Sequence, residues 1–386
     1  MKANGTLRVL HCPLMVGGNP QSLARAERAL GVESWSVAFR DTFARYPCDE
    51  ILWQDQEAIW QFEWKRWRLL WRSLWDFDVI HFNFGMSILP HWVPVDSTIF
   101  GSAPKSVRHA YQLYARLFEL RDLPLLKRAG KGIVVTYQGN DARQGDYCRN
   151  HFAISPVTEV DPREYSAESD AHKRWKIRKF ASYADRSYAL NPDIMHVLPP
   201  ETAFLPYAHI DLTEWNYQDP DGRIPAVPVV LHAPSHQGMK GTRFVQAAVA
   251  RLRAEGIPFE YIQLAGLSQA KARELYQQAD LLIDQVLCGW YGGLAVELMA
   301  LGKPVVCYLR EPDLRFIPEG MRQDLPLIQA EPSTLYEVLK EWLTMRKSEL
   351  AKQGRKSREF VEKWHDPKKI ARRLLDDYQT ILNRLI

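Results

Sequence analysis

Residues 289–306 read Gly-Trp-Tyr-Gly-Gly-Leu-Ala-Val-Glu-Leu-Met-Ala-Leu-Gly-Lys-Pro-Val-Val. Gly292 and Gly293 let the backbone turn tightly and let a ligand come close. The pattern predicts a helix over about 294–301, stopped by Gly302, with Pro304 blocking its continuation. Val305-Val306-Cys307-Tyr308 predicts a buried strand, and the apolar run at 279–284 predicts another just upstream. A strand that passes through glycines into a helix start is a ready anion site, because free backbone N–H groups converge there. Glu297 falls early on that helix, where its carboxylate can face the same ligand.

Outward from this stretch, strand and helix signals alternate. Strands are expected at 7–11, 35–39, 77–84, 132–137 and 184–190, then at 229–234 and 259–266. Helices are expected at 21–30, 57–75, 105–129 (broken near Pro124), 173–183, 243–255 and 268–279. Three more, at 332–346, 356–364 and 367–384, close the chain. Alternation of this kind gives parallel sheets with crossover helices. The loop 15–20 carries Gly17 and Gly18 between the first strand and helix. The strand at 132–137 delivers Gln138, Asn140 and Asp141 to its C-terminal end, where ligands bind in such sheets. His81 lies in the strand before it. Asp141 has a second reading, as a cap on the following turn, and His81 as a structural histidine. Residues 142–172 read as a long polar loop that covers a cleft.

The stretch 289–306 resembles the donor-site motif of retaining glycosyltransferases of the GT-B fold, in the large family numbered four. That motif is Glu, seven residues, Glu, a helix of small residues, Gly-x-Pro and a valine strand. Glu297 matches the second Glu and Gly302-Lys303-Pro304-Val305-Val306 the tail, while Gly289 stands at the first Glu. The family's turn with Arg and, five residues on, Lys is matched by Lys240 and Gly241, with Ser235 at the Arg position and His236 beside it. Gln138 stands where the family usually has His, and 205–211 resembles its Pro-Asn-Gly-Val-Asp segment.

The resemblance implies two Rossmann-like domains facing across a cleft, at 1–215 for the acceptor and 216–365 for the sugar nucleotide. A C-terminal helix, 366–386, crosses back to the first. It implies glycosyl transfer with retention from a UDP- or GDP-sugar to a glycan or lipid-linked acceptor, in polysaccharide or glycoconjugate synthesis. No metal or other cofactor is expected. The implied catalytic residues are Lys240, Glu297 and Gln138. Donor contacts are expected from Gly17, Gly18, Ser235, His236, Lys240, Gly241, Tyr291, Gly292, Gly293, Leu294 and Glu297, and acceptor contacts from Asn140, Asp141 and His81. A sugar-nucleotide epimerase and a non-catalytic sugar-nucleotide-binding protein are the alternatives on the same fold.

The bulk properties agree with a globular enzyme. The 386 residues are 46% hydrophobic and 25% charged, which fits two domains with their own cores. The net charge of +4 is too small to argue for nucleic acid. Five scattered Cys form no CxxC pair, which fits thiols in a reducing cytoplasm. Arg8 and His11 break any leader-like apolar run, and no stretch reaches bilayer-spanning length. The unusual count is 13 Trp. Five of them, Trp60, Trp64, Trp67, Trp71 and Trp75, form one stripe on the helix at 57–75. Lys65, Arg66, Arg68 and Arg72 lie beside it. Either the stripe packs on the sheet, or it lies on an anionic bilayer with the basic residues on phosphates, at the inner face of the membrane.

Overall fold

The computed structural model describes residues 6–41, 46–53, 57–93, 97, 100–101, 103–217, 219, 224–264 and 269–385. Seven strands make the first sheet: β1 (Arg8–Cys12), β2 (Glu33–Arg40), β3 (Glu50–Trp53), β4 (Val79–Asn83), β5 (Gly132–Tyr137), β6 (Arg186–Ala189) and β7 (Ala203–Phe204). Five make the second: β8 (Val229–His232), β9 (Glu260–Gln263), β10 (Leu281–Ile283), β11 (Val305–Cys307) and β12 (Ile328–Gln329). The orders are β3-β2-β1-β4-β5-β6-β7 and β12-β11-β10-β8-β9. Every pairing is parallel. Parallel strands are covered on both faces, so they read as unbroken apolar runs, and β4 and β5 are buried along their whole length.

Strand order reverses between β1 and β4 in one sheet and between β10 and β8 in the other. Ligands bind beyond the C-terminal ends of strands at such reversals. β1 runs on to Gly17 and Gly18, β8 to Lys240, and β10 to Asp284. The fold thus brings the glycine loop and the donor-motif residues to the two reversal points.

The C-terminal helix Pro367–Leu385 returns to the first sheet. Its Tyr378 hydroxyl bonds the His81 ring, Arg373 donates to the Phe204 carbonyl at 3.1 Å, and Ile381 packs at Gly132. This strap buries Ile370, Ala371, Leu374, Tyr378 and Ile381.

Some local expectations change. Strands β7 and β12, two residues each, are too short to show a periodic signal, and β3 is not among the expected strands either. The break in 105–129 falls after helix Lys105–Phe118, at Leu120 with φ +60°, rather than at Pro124. Pro124 sits in the first turn of helix Asp122–Arg128, where a missing N–H costs nothing. Residues 142–172 are not an irregular loop. They hold helix Gly145–His151 and the start of helix Ala167–Ala181. Their polar residues are caps: Ser166 accepts from the Ser169 amide, and Asp170 accepts from the Gly145 and Asp146 amides at 2.9 Å each. The strand expected over 259–266 covers Glu260–Gln263, with 265 and 266 outside the described residues.

Helix Ile59–Trp75 does pack on its domain, but not through the tryptophans. Phe62, Arg66, Leu69, Leu70 and Ser73 face inward. Trp60, Trp64, Trp71 and Trp75 are 62–68% exposed and Trp67 38%. The basic residues beside the stripe are largely engaged within the protein. Arg66 is fully buried on the Phe39 and Phe62 rings. Lys65 pairs with Glu57 and Arg72 with Glu50, each at 2.6 Å.

Candidate active site

The second sheet builds one end of the site. Lys240 ends the short helix Gln237–Lys240 after β8, and Asp284 follows β10 directly. Lys240 Nζ donates to Asp284 Oδ1 at 2.8 Å, and the Gly292 amide donates to Asp284 Oδ2 at 2.7 Å. Asp284 therefore ties the cation to the residue preceding helix Gly293–Ala300. Burial pulls the Lys240 ammonium down, but Asp284 outweighs it and the pKa ends above its ordinary value. A charged lysine is thus fixed at a helix N-terminus, and a lysine has further donors beyond the one on Asp284. Gly293 and Leu294, half-buried, open that helix. Asp284 escaped the sequence reading, and its signal was its place at the end of a strand at the reversal point.

Glu297 lies one turn further on and is buried. Its carboxylate receives a hydrogen bond from the Tyr46 hydroxyl. Glu297 Oε1 is 3.7 Å from His209 Nε2. The Tyr46 ring also covers Gly18, where an added Cβ would stand 2.7 Å from Tyr46 Cδ1. Gly18 and Glu297, both expected at the donor, are therefore joined across the domains by Tyr46.

His209 belongs to the segment 205–211 that resembles the family's Pro-Asn-Gly-Val-Asp. Its neighbour Ala208 donates to Asn19 Oδ1 at 2.7 Å, and its own carbonyl accepts from Ser22 at 3.3 Å. The ring meets Gly293, whose added Cβ would lie 3.3 Å from His209 Cε1. Burial pushes the ring's pKa down to about 4, so it is neutral at pH 7.

Gly289 explains itself once Arg310 is seen. It has φ +80°, and an added Cβ would meet Arg310 Nη1 at 2.7 Å. No side chain fits there, because a guanidinium lies on the backbone. Arg310 pairs with Asp313 at 2.9 Å and donates to the Ile154 carbonyl at 2.8 Å. Asp313 also pairs with His196 of the first domain at 2.8 Å.

Other expected donor residues do different work. Tyr291 is buried, with its hydroxyl 2.9 Å from His365 Nε2, so its side chain is core. His236 accepts the Met239 amide at 3.2 Å as a cap and lies 3.4 Å from Glu164. Ser235 is exposed beside it and carries no charge. Gly241 caps the Lys240 turn with φ +75°.

The expected acceptor residues make hydrogen bonds within the domain. Asp141 accepts from the Gln138 and Gly139 amides at 3.0 and 2.7 Å, the turn-cap reading. Asn140 accepts from Arg143 at 2.7 Å and from the Tyr165 hydroxyl at 2.8 Å. His81 is buried between Tyr378 and Thr136. Gln138 differs. Its side-chain nitrogen is buried without a hydrogen-bond partner among the described residues. It lines a cavity of about 10 Å³ with His11, Asn19 and Asn83, at the β1/β4 reversal. Arg143, unforeseen, is held by Asp193 at 2.7 Å. Burial raises the Cys288 thiol, and the charges of Arg143 and Lys240 pull it part of the way back.

Among the described residues no group of three or more His, Cys, Asp or Glu side chains is placed to hold a metal ion. No helix among them is long and apolar enough to cross a membrane.

No protein-family model matches the sequence, and no curated protein matches it. Solved structures do match. Sucrose-phosphate synthase from Thermosynechococcus elongatus superposes with a TM-score of 0.59 at 16% identity, over 98% of this chain and 100% of that one. The HepE protein of Anabaena, solved with UDP-glucose, gives 0.58 at 11% identity, over 97% and 100%. An alpha-glucosyltransferase solved with UDP-glucose and DNA containing an abasic site gives 0.56 at 12%, over 97% and 100%. The fold is GT-B. Identities this low carry the fold and nothing further. Lys240, Asp284, Gly292 and Glu297 come from the half of the chain that carries the second sheet. Gly17, Gly18, Tyr46 and Gln138 come from the half that carries the first.

Proposed function

We propose that this protein transfers a glycosyl group from a nucleotide-diphosphate sugar to a hydroxyl acceptor, with retention and without a metal ion. The observation that carries this is Lys240, held by Asp284 at the start of helix Gly293–Ala300. In this reading the diphosphate lies against Lys240 and the amides of Gly293 and Leu294. Negative charge grows there as the bond to the sugar breaks, and a fixed cation and helix terminus stabilise that charge most in the transition state. Glu297 takes the ribose hydroxyls in exchange for Tyr46. Gln138 donates its unpartnered N–H to a sugar hydroxyl, and Arg143 supplies the second positive charge that Ser235 lacks. Attack from the face the leaving group departs needs no protein nucleophile. HepE and the alpha-glucosyltransferase were solved with UDP-glucose, so UDP is the first nucleotide to test.

Thermal shift with UDP, GDP and ADP tests the donor half: one nucleotide should raise Tm in the wild type and not in Lys240→Ala. Donor turnover tests the rest. Transfer that needs acceptor and persists in EDTA is expected, isomerised sugar without acceptor identifies the epimerase, and strict dependence on Mn²⁺ or Mg²⁺ overturns the metal-free step.

We further propose that the enzyme works on an anionic membrane surface, on a lipid-linked acceptor. The tryptophan stripe is joined by Leu113, Leu117 and Leu125, all exposed, on neighbouring helices. A hollow of about 380 Å³ there is lined by Trp67, Leu117, Arg121 and Arg128. Large aromatics flanked by arginines suit the headgroup level of a bilayer, and so continuous an apolar face is rare on a protein with no partner.

A further inference from the structure

A cavity of about 970 Å³ opens on the first domain, and none of its lining residues is one expected to bind substrate. Trp92, Arg116, Glu119, Glu168, His172 and Trp175 are among its lining residues. We propose that it holds the glycan portion of the acceptor. As an acceptor site this rests on the glycosyl-transfer reading above; as a saccharide site it stands on its own geometry.

The cavity has a platform. His172 and Trp175, one turn apart on helix Ala167–Ala181, stack at 5.6 Å with their planes 13° apart. Trp92 meets His172 edge-on at 6.3 Å. Glu119 fixes the imidazole, with both carboxylate oxygens 3.0–3.1 Å from Nε2. Rings held in place this way lose little freedom when a ligand arrives. A pyranose presents an apolar C–H face that suits aromatic rings, and its hydroxyls need acceptors and donors around the edge. Carboxylates on the wall supply the acceptors. An apolar ligand would leave these groups unpaired, a costly outcome.

Charge narrows the class. Four carboxylates (Glu119, Asp161, Glu164, Glu168) line the cavity against two guanidiniums (Arg116, Arg163), one of which, Arg163, is paired with Asp161. That balance repels phosphates, so the nucleotide does not belong here and a neutral or amino sugar does. The volume is at the upper end for a ligand pocket and allows an oligosaccharide.

Position ties it to both neighbours. Glu164 on the rim lies 3.4 Å from His236 Nε2, on the turn that leads to Lys240. Helix Lys105–Phe118, which brings Arg116 to the wall, carries Leu113 and Leu117 exposed. The same helix receives the stripe, through Trp67 on the Tyr114 hydroxyl at 2.7 Å. A lipid on the apolar face, a glycan in the cavity and a donor at Lys240 would therefore lie in sequence.

An array of neutral and amino-sugar oligosaccharides, probed with the full chain, tests this. The wild type should retain at least one saccharide class, and so should Lys240→Ala, since that lysine is outside the cavity. Trp175→Ala should lose at least tenfold. Because Trp175 also touches the core, Glu168→Trp, at an exposed position on the rim, serves as a blocking variant and should lose binding with Tm unchanged. Saccharide retention without any nucleotide shift in the wild type would overturn the donor reading and leave this one standing. An array that retains nothing, or retention undiminished in both cavity variants, overturns the cavity assignment.

Discussion

The ends of β8 and β10 in one sheet and of β4 and β5 in the other all lie at the C-terminal edge of a parallel sheet, yet their polar residues serve opposite purposes. In the second sheet, Lys240 and Asp284 reach forward to the start of a helix and leave donors for a ligand. In the first, His81, Asn140 and Asp141 are turned into the domain's own hydrogen bonds. A polar side chain near a strand end is therefore weak evidence of function. What separates the two regions is whether bonding capacity remains after the local structure has been satisfied. By that measure Gln138 is the exception in the first sheet, and Tyr291 the exception in the second.

The comparison breaks first at Lys240. Lys240→Ala should lower donor kcat/KM by about 10²–10³, the usual loss on removing a charge-stabilising donor. It should also lower stability by about 3–5 kcal/mol, because Asp284 is left as a buried unpaired charge. The double variant Lys240→Ala/Asp284→Ala should recover much of the stability and none of the activity. Recovered activity would mean that the pair is structural, like those of the first sheet.

Glu297→Ala should follow, at about 10–100-fold in donor kcat/KM, since each charge-assisted bond is worth about 1.5–3 kcal/mol. Acceptor KM should hardly move. Burial against Tyr46 and His209 adds a loss of Tm that an exposed carboxylate on a first helical turn would not show. Tyr46→Phe separates the two effects. It should leave donor binding intact or tighter, because the hydroxyl that competes for Glu297 is gone.

Asp141→Ala tests the other half. Two backbone amides lose their acceptor, so stability should fall by about 1–3 kcal/mol, while kinetics measured on the folded fraction stay at the wild-type level. An acceptor KM that rises with Tm unchanged would restore Asp141 to the site.

Much of this was legible in the sequence, and the reasons differ by residue. Gly292, Gly293, Gly302 and Pro304 are local punctuation, so the helix and strand between them could be read directly. Lys240 was visible from its turn. Tyr46, His209 and Arg143 were not, because each acts through contacts made between distant segments. Gly289 read as a missing carboxylate, when Arg310 from beyond β11 fills its place. The tryptophan stripe was ambiguous for a different reason. Helix Ile59–Trp75 has two periodic faces with apolar residues, and periodicity cannot say which one meets the core.

pH sharpens the picture of the seam. His209 and His365 are held neutral by burial, with pKa values of about 4 and about 3 against an ordinary 6.5. Below pH 6.5 the unfolded chain binds protons that these rings refuse. The stability they allow is complete above pH 6.5 and falls as pH drops toward 4, by about 1.4 kcal/mol per unit for each ring. Urea midpoints at pH 7 and pH 5 should show the loss, and His209→Gln should remove part of the slope. A flat response would mean that solvent reaches both rings and that the seam is open.

The smallest expected effect on stability is at the tryptophan stripe, and that smallness is the point. Trp64 and Trp71 are 62% and 64% exposed on a helix whose opposite face makes the core contacts. Replacing both with Ser should therefore change stability by no more than about 0.5 kcal/mol per site, as for ordinary surface positions. A core tryptophan would cost about 3–5 kcal/mol. Binding should respond in the opposite way. Wild-type protein should sediment with vesicles of phosphatidylcholine and phosphatidylserine, less so as salt rises, and the double variant should stay in the supernatant. The salt-sensitive part should come from Arg68, Arg121 and Arg128, since Lys65, Arg66 and Arg72 are already engaged within the domain. Arg121→Ala/Arg128→Ala should weaken sedimentation at low salt and leave the residual high-salt binding to the tryptophans. A collapsed thermal transition in the Trp64→Ser/Trp71→Ser protein would place the stripe in a core. Unchanged sedimentation with the transition intact would leave the stripe on the surface and remove the membrane from its role.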